Sequence, residues 1–426
     1  MISKSPLKNV KRMAKYYTFD GFSNGLAQNA FAGNNLKCAR GIKSVLEHNK
    51  SFIFIKGVGE IVYAFGENKV LYYSYGTDGG ILQNYAGTFS QTPNVVTVYD
   101  GKNFIPVFTG EEAVYYHEQG VGGELKIAED VEKFDIGCYA YERLWTYKDG
   151  KLRFSAPLNF SDFTVGKNGG GEIEVPDIFG KVIALIAYEN RVYIFRENGI
   201  QRLDSRGEQA EFIITDCAAL MENIKAETIA VGNECMYFCT DSSIYKLAVT
   251  KVSKVYSTVF EKYNLQPISA TYGCGKYVLS ASGVNGDALY LLDDSGVEVI
   301  SIKADCLTSI VRSGKVIPLF LYEGKAYTLD NEKFMPLKWE SDFLDLKQGA
   351  REKILERVKA HGCGDFTLTV KSGKGERKLK LHFKEGVADI PVGMRGDYFK
   401  FQLESVNGGY INGLSVLYTL SKGGKL

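Results

Sequence analysis

A two-stranded pattern recurs along most of the chain at a nearly constant interval. Its clearest copy is Arg191–Leu203, in which Val192–Phe195 is β-branched and aromatic, Glu197–Gly199 supplies turn residues, and Ile200 and Leu203 resume an apolar strand. Successive copies lie 42, 40, 48, 44, 40 and 40 residues apart, measured between the markers Tyr63, Ile105, Trp145, Tyr193, Tyr237, Tyr277 and Ile317. An isolated hairpin with two apolar faces is not stable. The pattern therefore predicts a repeat that stacks on its neighbours.

The length of the repeat indicates its architecture. A four-stranded propeller blade occupies about 40–45 residues, and a sandwich with irregular hairpins would not give so regular a step. The 27 Tyr, 25 Phe and 46 Gly against 9 Pro suit an all-β chain of short strands. We predict a β-propeller of about seven blades, with six to eight compatible, over residues 16–338.

The pattern changes near Trp339. Beyond it, apolar residues alternate with polar ones in runs around Phe366, Leu379, Phe399 and Leu414. The preceding run that holds Ile354 and Val358 suits a helix or a strand, and we favour a strand. Roughly five strands predict a small antiparallel β-sandwich over residues 339–426. In contrast, the pattern of Asn24–Gly41 suits a loop or a short helix and gives no assignment.

The charges are unevenly distributed. Residues 1–15 carry +5 without an acid, residues 341–426 also carry +5, and the net charge of +1 leaves −9 for residues 16–340. Residues 1–15 form a basic arm that either stays solvated or docks on an acidic surface or a nucleic-acid backbone. The candidate docking residues are Lys4, Lys8, Lys11, Arg12 and Lys15.

No motif indicates an active site. His48, His117, His361 and His382 lie in different segments of the chain, and the eight cysteines have no metal-ligand or disulfide spacing. The glycine-rich run Gly166–Gly171 precedes a predicted strand, not the helix of a phosphate loop. We therefore predict no catalytic residue, no cofactor and no metal, and buried free thiols.

Targeting signals are also missing from the sequence pattern. No run reaches the roughly 18 apolar residues of a membrane span, and no apolar segment follows the basic residues 1–15 as in a secretory signal. The expectation is a chain that folds in the cytoplasm and has no membrane segment.

Two segments carry a resemblance to a known family. The first runs through Glu142–Trp145, Leu152–Pro157, Asn159–Phe163 and Val192–Ile200, and the second through Arg395–Phe401 and Ile411–Tyr418. Over residues 130–250 and 340–420 the chain resembles the β-propeller structural proteins of tailed bacteriophages, of the tail-nozzle and packaged-DNA-stabilisation type.

The resemblance implies a non-enzymatic virion protein at the head-to-tail region or tail. It implies a homo-oligomeric ring assembled in the host cytoplasm, contacts with portal, adaptor or tail proteins, and genome DNA that passes without sequence-specific binding. An acidic propeller along such a channel would repel DNA phosphates.

Two alternatives stay open. One is a bacterial propeller that binds a carbohydrate or a protein at its central mouth through Tyr72, Tyr73, Tyr115 and Tyr116. The other is a propeller glycosidase, although the chain has no repeated Ser-x-Asp-x-Gly-x-Thr-Trp motif.

Overall fold

The computed structural model describes residues 14–45, 51–66, 69–74, 83–86, 89, 92–118, 125–175, 178–205 and 209–421. The regular secondary structure of these residues is almost entirely β-strand, with one α-helix, α1 (Ser257–Tyr263), and one 3-10 helix (Gln209–Glu211). None of the helices in these ranges is long and apolar enough to cross a membrane. The chain divides into two compact units. Unit 1 combines residues up to Gly41 with Asp293–Ser301 and Asp330 onward, and unit 2 combines Ile42–Leu292 with Ile302–Leu329.

Five short strands open the described chain. They are β1 (Ala14–Thr18), β2 (Leu26–Gln28), β3 (Ala30–Gly33), β4 (Leu36–Cys38) and β5 (Arg40–Ser44). The segment for which the sequence gives no assignment, Asn24–Gly41, thus contains three strands and the start of a fourth. Because β2, β3 and β4 are only three or four residues long, an alternating pattern has no room to develop.

Unit 2 is a series of small antiparallel sheets, numbered here 1 to 7, and most of them are built from consecutive strands. Sheet 1 contains β6 (Phe54–Val58), β7 (Ile61–Gly66), β8 (Lys69–Ser74) and β9 (Gln83–Ala86); sheet 2 contains β10 (Val95–Tyr99), β11 (Phe104–Thr109), β12 (Val114–His117) and β13 (Leu125–Ile127); sheet 3 contains β14 (Ile136–Ala140), β15 (Arg143–Lys148), β16 (Lys151–Phe154) and β17 (Gly171–Glu174).

The remaining sheets of unit 2 follow the same plan. Sheet 4 contains β18 (Val182–Tyr188), β19 (Arg191–Arg196), β20 (Gly199–Asp204) and β21 (Ile213–Ala218); sheet 5 contains β22 (Ile224–Val231), β23 (Met236–Thr240), β24 (Ile244–Ala248) and β25 (Lys251–Val255); sheet 6 contains β26 (Gln266–Gly273), β27 (Lys276–Gly283) and β28 (Gly286–Asp293). After β29 (Gly296–Ile300), sheet 7 contains β30 (Cys306–Arg312), β31 (Lys315–Tyr322) and β32 (Lys325–Phe334), and β5 is its fourth strand. The Val45 N–H donates to the Ala326 carbonyl at 2.9 Å where β5 ends.

The predicted hairpins are confirmed as the second and third strands of these sheets. In Arg191–Leu203, β19 pairs with β20 and Arg196 lies opposite Gly199, so that Glu197 and Asn198 form a two-residue turn. The other six hairpins have the same position in sheets 1, 2, 3, 5, 6 and 7. The repeat period in the sequence therefore corresponds to one sheet.

Each sheet of unit 2 packs on the sheet that follows it. Between sheets 1 and 2 the rings of Phe65 and Phe108 lie 5.7 Å apart, and between sheets 4 and 5 Phe195 and Phe238 lie 5.6 Å apart. The other successive contacts involve Val98 and Leu144 (sheets 2 and 3), Cys138 and Leu185 (sheets 3 and 4), Tyr237 and Tyr277 (sheets 5 and 6), and Ser269 and Leu307 (sheets 6 and 7). The second strands of these sheets, such as β7 and β19, are thereby buried on both faces.

Sheet 7 packs in turn on sheet 1. Ile55 and Val62 share a buried cluster with Ile310 and Leu319. The Gly57 N–H donates to Thr308 Oγ1 at 2.9 Å, and the Val311 N–H donates to the Gly59 carbonyl at 2.8 Å. The series of sheets therefore returns to its start.

Unit 1 contains two antiparallel sheets. Its further strands are β33 (Leu337–Glu340), β34 (Lys353–Gly364), β35 (Phe366–Ser372), β36 (Gly375–Leu381), β37 (Val387–Gly396), β38 (Phe399–Ser405) and β39 (Gly409–Leu420). One sheet has the order β29, β3, β4, β39, β34, β37, with β1 also paired to β39, and the other has the order β2, β33, β38, β35, β36. The strand favoured around Ile354 and Val358 is confirmed as β34. Strand β37 was not predicted, since Pro391 and Gly393 interrupt its alternation.

Buried polar contacts tie distant segments of unit 1 together. Arg40 forms a two-point ion pair with Glu298, from Nε to Oε1 at 3.0 Å and from Nη2 to Oε2 at 2.8 Å. The fully buried Lys353 donates from Nζ to the carbonyls of Gly349, Arg351 and Asp397 at 2.6–2.8 Å. The predicted boundaries, 1–15, 16–338 and 339–426, treat the domains as consecutive segments, whereas the structure groups β1–β4 with the C-terminal strands.

The contact between sheets 7 and 1 generates a prediction about Gly57. A Cβ at this position would lie 2.0 Å from the backbone oxygen of Ser309, so β6 and β30 would have to separate. We expect Gly57→Ala to lower the free energy of unfolding by about 1–3 kcal/mol, measured by denaturant titration of the full chain. The matched control is Gly66→Ala in the same sheet, whose added Cβ would approach no atom closer than 3.5 Å. Equal midpoints for the two variants would contradict the prediction.

Candidate functional site

The first strands of sheets 1 to 5 line a cavity of about 480 Å³ in unit 2. It receives Phe54 and Lys56 from β6, Thr97 from β10, Ile136 from β14, Ile186 from β18 and Glu227 from β22, among other residues. Each of these strands pairs on one side only, with the second strand of its sheet. The cavity is therefore bordered by apolar side chains and by strand edges that carry backbone donors and acceptors.

Two residues of the lining, Lys56 and Glu227, have side chains that can carry a full charge of opposite sign. Lys56 is half-buried and Glu227 is exposed, and they form no ion pair with each other. The surrounding strands desolvate the Lys56 ammonium and lower its pKa. Among the described residues, no carboxylate lies within ion-pair distance of Lys56. The negative charge of residues 16–340 is not concentrated in this lining.

The candidate docking residues are mostly outside the described ranges. Lys4, Lys8, Lys11 and Arg12 lie outside them, while Lys15 lies in β1 and donates from Nζ to Gln348 Oε1 at 2.8 Å. Docking through these residues stays a prediction.

Of the aromatic residues considered for ligand binding, Tyr115 and Tyr116 do not line the cavity. The Tyr115 ring lies 5.6 Å from that of Phe89, and the Tyr116 ring lies 5.6 Å from that of Phe160. Both therefore contribute to the packing of sheet 2. The side chains of Tyr72 and Tyr73 lie outside the described set.

The described histidines lie in different surroundings. His117 is 1% exposed, and its Nδ1 lies 2.8 Å from the hydroxyl of Tyr63, while His361 and His382 are exposed in unit 1. His48 lies outside the described residues. Within those residues no three His, Cys, Asp or Glu side chains could hold a metal ion together. The eight cysteines are free; five are buried, but Cys274 and Cys363 are exposed, contrary to the expectation of buried thiols.

The segment after β16 is a loop whose conformation is fixed by contacts of Arg143 and by backbone hydrogen bonds. Arg143, which is 8% exposed, donates from Nη1 to the carbonyls of Ser155 and Gly169 at 2.6 Å, and its guanidinium lies 5.2 Å from the centre of the Phe154 ring. The Ala156 N–H donates to the Asp162 carbonyl at 2.7 Å. Strand β17 begins at Gly171, as predicted for a loop that is not a phosphate site.

The sequence prediction missed both charged residues of the cavity. Lys56 lies in the run Phe54–Val58 and Glu227 in the run Ile224–Val231, each a charge among apolar residues of a first strand. That pattern is a weak signal, since a lysine in a short strand usually faces solvent.

No family model matches the chain, and no curated protein matches it. Solved structures similar to it include the extracellular domain of a hybrid two-component system of B. thetaiotaomicron, with a TM-score of 0.48 and 8% identity over 84% of this chain and 57% of that one. They also include the lectin SapL1 in complex with α-methyl fucoside, with a TM-score of 0.36 and 12% identity over 60% of this chain and 97% of that one. The chain thus spans little more than half of the two-component-system domain. At these scores the likenesses carry no argument about its function.

The burial of His117 generates a prediction about pH. Desolvation lowers the pKa of His117 below the ordinary value of 6.5, although Glu118 partly opposes this shift. In the unfolded chain the residue protonates near that ordinary value, so the stability is complete above about pH 6.5 and falls below it. The decline continues until the pH reaches the lowered pKa of the folded state, with a slope of at most about 1.4 kcal/mol per pH unit.

We expect His117→Gln to lose less stability than the parent chain as the pH falls from 6.5 to 5. The difference between the two slopes should be at most about 1.4 kcal/mol per pH unit. The free energy of unfolding, measured at several pH values, provides the comparison. His361→Gln, which changes an exposed side chain, serves as the control. If both variants retained the decline of the parent chain, His117 would not be its source.

Proposed function

We propose that sheets 1 to 7 are the blades of a seven-bladed β-propeller, that unit 1 is a β-sandwich, and that the chain is a non-enzymatic structural protein of a tailed-phage virion. Its place would be the head-to-tail region or the tail. Two findings support the propeller: each sheet packs on the next, and sheet 7 packs on sheet 1 through Gly57 and Thr308. The cavity bordered by the first strands has the position of a central channel.

The observation that carries the virion role is the segment that resembles phage propeller proteins. Its residues stabilise one loop conformation. Arg143 donates to the carbonyls of Ser155 and Gly169 at the two ends of the loop, and Ser155 Oγ accepts the N–H of Leu144 at 3.0 Å. These contacts serve packing, as expected for a structural protein.

The charge distribution is compatible with such a role. Basic residues 1–15 and 341–426 would dock on acidic surfaces of neighbouring virion proteins, and the acidic residues between them would repel passing DNA. Both interactions would weaken as the salt concentration rises, because exposed charges are screened.

The virion role predicts where the protein is found. Particles from induced cells that carry the gene are banded in a density gradient, treated with nuclease and analysed by mass spectrometry. We expect this chain in the DNA-containing particles, together with capsid and portal proteins. If those proteins were present and this chain were absent, the virion role would be wrong.

The cavity favours a second candidate function, a propeller that binds a carbohydrate or a protein. The mass of the purified chain distinguishes this function from the virion role. Light scattering of a virion ring would give about six or twelve copies of the 47.3 kDa chain. A monomer that retains one class of sugar on a glycan array would favour the second candidate.

A further inference from the structure

Lys56 is a partly buried lysine for which no described residue supplies an opposite charge. It lies on β6, which is bordered by the cavity on one side and by β7 on the other. Placing an ammonium among apolar strands is unfavourable unless an opposite charge or several acceptors compensate for the lost hydration. Among the described residues no carboxylate pairs with Lys56, and desolvation lowers the pKa of its ammonium.

The ionisable group that acts electrostatically on Lys56 does not provide the missing charge. Cys306 influences Lys56 electrostatically, but burial raises the pKa of the Cys306 thiol to about 11. At neutral pH the thiol is therefore uncharged. It also donates to the Ile55 carbonyl at 3.5 Å, which keeps it within the contact between sheets 7 and 1.

The buried cations among the described residues differ from Lys56. Arg143, Arg196 and Lys353 each donate to at least one backbone carbonyl, at distances of 2.6–2.9 Å. No hydrogen bond of this kind joins the Lys56 ammonium to any residue in the ranges that the structure describes. Backbone carbonyls thus accept hydrogen bonds from Arg143, Arg196 and Lys353, whereas Lys56 lines a cavity.

The remainder of the lining favours a ligand with an apolar body. Ile136, Ile183 and Ile186 offer branched aliphatic surface, and Thr97 and the strand edges offer hydrogen-bonding groups. The volume of about 480 Å³ lies within the 300–1,000 Å³ that is typical of small-molecule sites. Glu227 would repel an anion placed on its side of the cavity and so favours an orientation toward Lys56.

We propose that this cavity binds a small organic anion, whose carboxylate or sulfonate group pairs with Lys56 and whose apolar body contacts the strands β14 and β18. The inference depends on the cavity and not on the virion role. A chain that binds such a molecule could occupy a virion or act alone, and failure of one proposal leaves the other standing.

The test uses two fluorescent probes that differ in charge. Anilinonaphthalene sulfonate has an anionic group on an aromatic body, and phenylnaphthylamine is its uncharged parent. Each is titrated into the full chain and into four variants, Lys56→Met, Lys56→Arg, Glu227→Gln and Lys315→Met. Lys315 is an exposed lysine of β31 that does not line the cavity and serves as the matched control. Near-ultraviolet circular dichroism checks that each variant is folded.

We expect Lys56→Met to raise the Kd of the sulfonate about tenfold, since a charge-assisted contact is lost, and to change the Kd of the uncharged probe by less than about twofold. Lys56→Arg should retain the affinity for the sulfonate, Glu227→Gln should increase it, and Lys315→Met should leave it unchanged. As the pH rises, the sulfonate should dissociate below the range in which ordinary lysines deprotonate.

Equal affinity of the sulfonate for the parent chain and for folded Lys56→Met would overturn the proposal. So would an equal loss for both probes, or the same loss in Lys315→Met. If Lys56→Met did not fold, the affinities of Lys56→Arg and Glu227→Gln for the sulfonate would test the proposal. Binding at a site elsewhere would give no increase in the affinity of Glu227→Gln, and that result would overturn the proposal.

Discussion

A small sheet with apolar residues on both faces can persist in water only if another element covers each face. In unit 2 that cover always comes from a neighbouring sheet, and the ends of the series cover each other through the cluster of Ile55 and Ile310. The approach is so close that Gly57 has no room for a side chain. Because every sheet depends on two others, the unit has no sheet that could be removed without exposing apolar surface elsewhere.

The polar groups inside the chain follow a common rule. Buried cations are neutralised mainly by carbonyl dipoles, as with Lys353 and its three carbonyls, and the two-point pair of Arg40 and Glu298 is a case in which a carboxylate is used instead. Carbonyl oxygens can be supplied by any loop that bends correctly, so such cations fix the conformation of loops. Lys56 differs from these cations in its surroundings and not in its residue type, since it lines a cavity.

The repeats could be predicted because their signals are local. A two-residue turn such as Glu197–Asn198 and the apolar runs beside it lie within a dozen residues, and the period then gives the number of sheets. Strands β2 to β4 were too short to predict, and Pro391 concealed β37. The cavity was not predictable at all, because Lys56 and Glu227 are brought to one lining by the order of five sheets, which no local pattern encodes.

The fourth strand of sheet 7 has a consequence for the synthesis of the chain. β5 leaves the ribosome early, yet its partner β32 follows only some 280 residues later, as the contact between Val45 and Ala326 shows. At about 5–20 residues per second this delay is roughly 15–55 s. During that time the apolar face of sheet 1 that sheet 7 covers in the folded chain stays exposed. Loop closure over this span makes the last step slow, and exposed apolar surface of this kind favours aggregation.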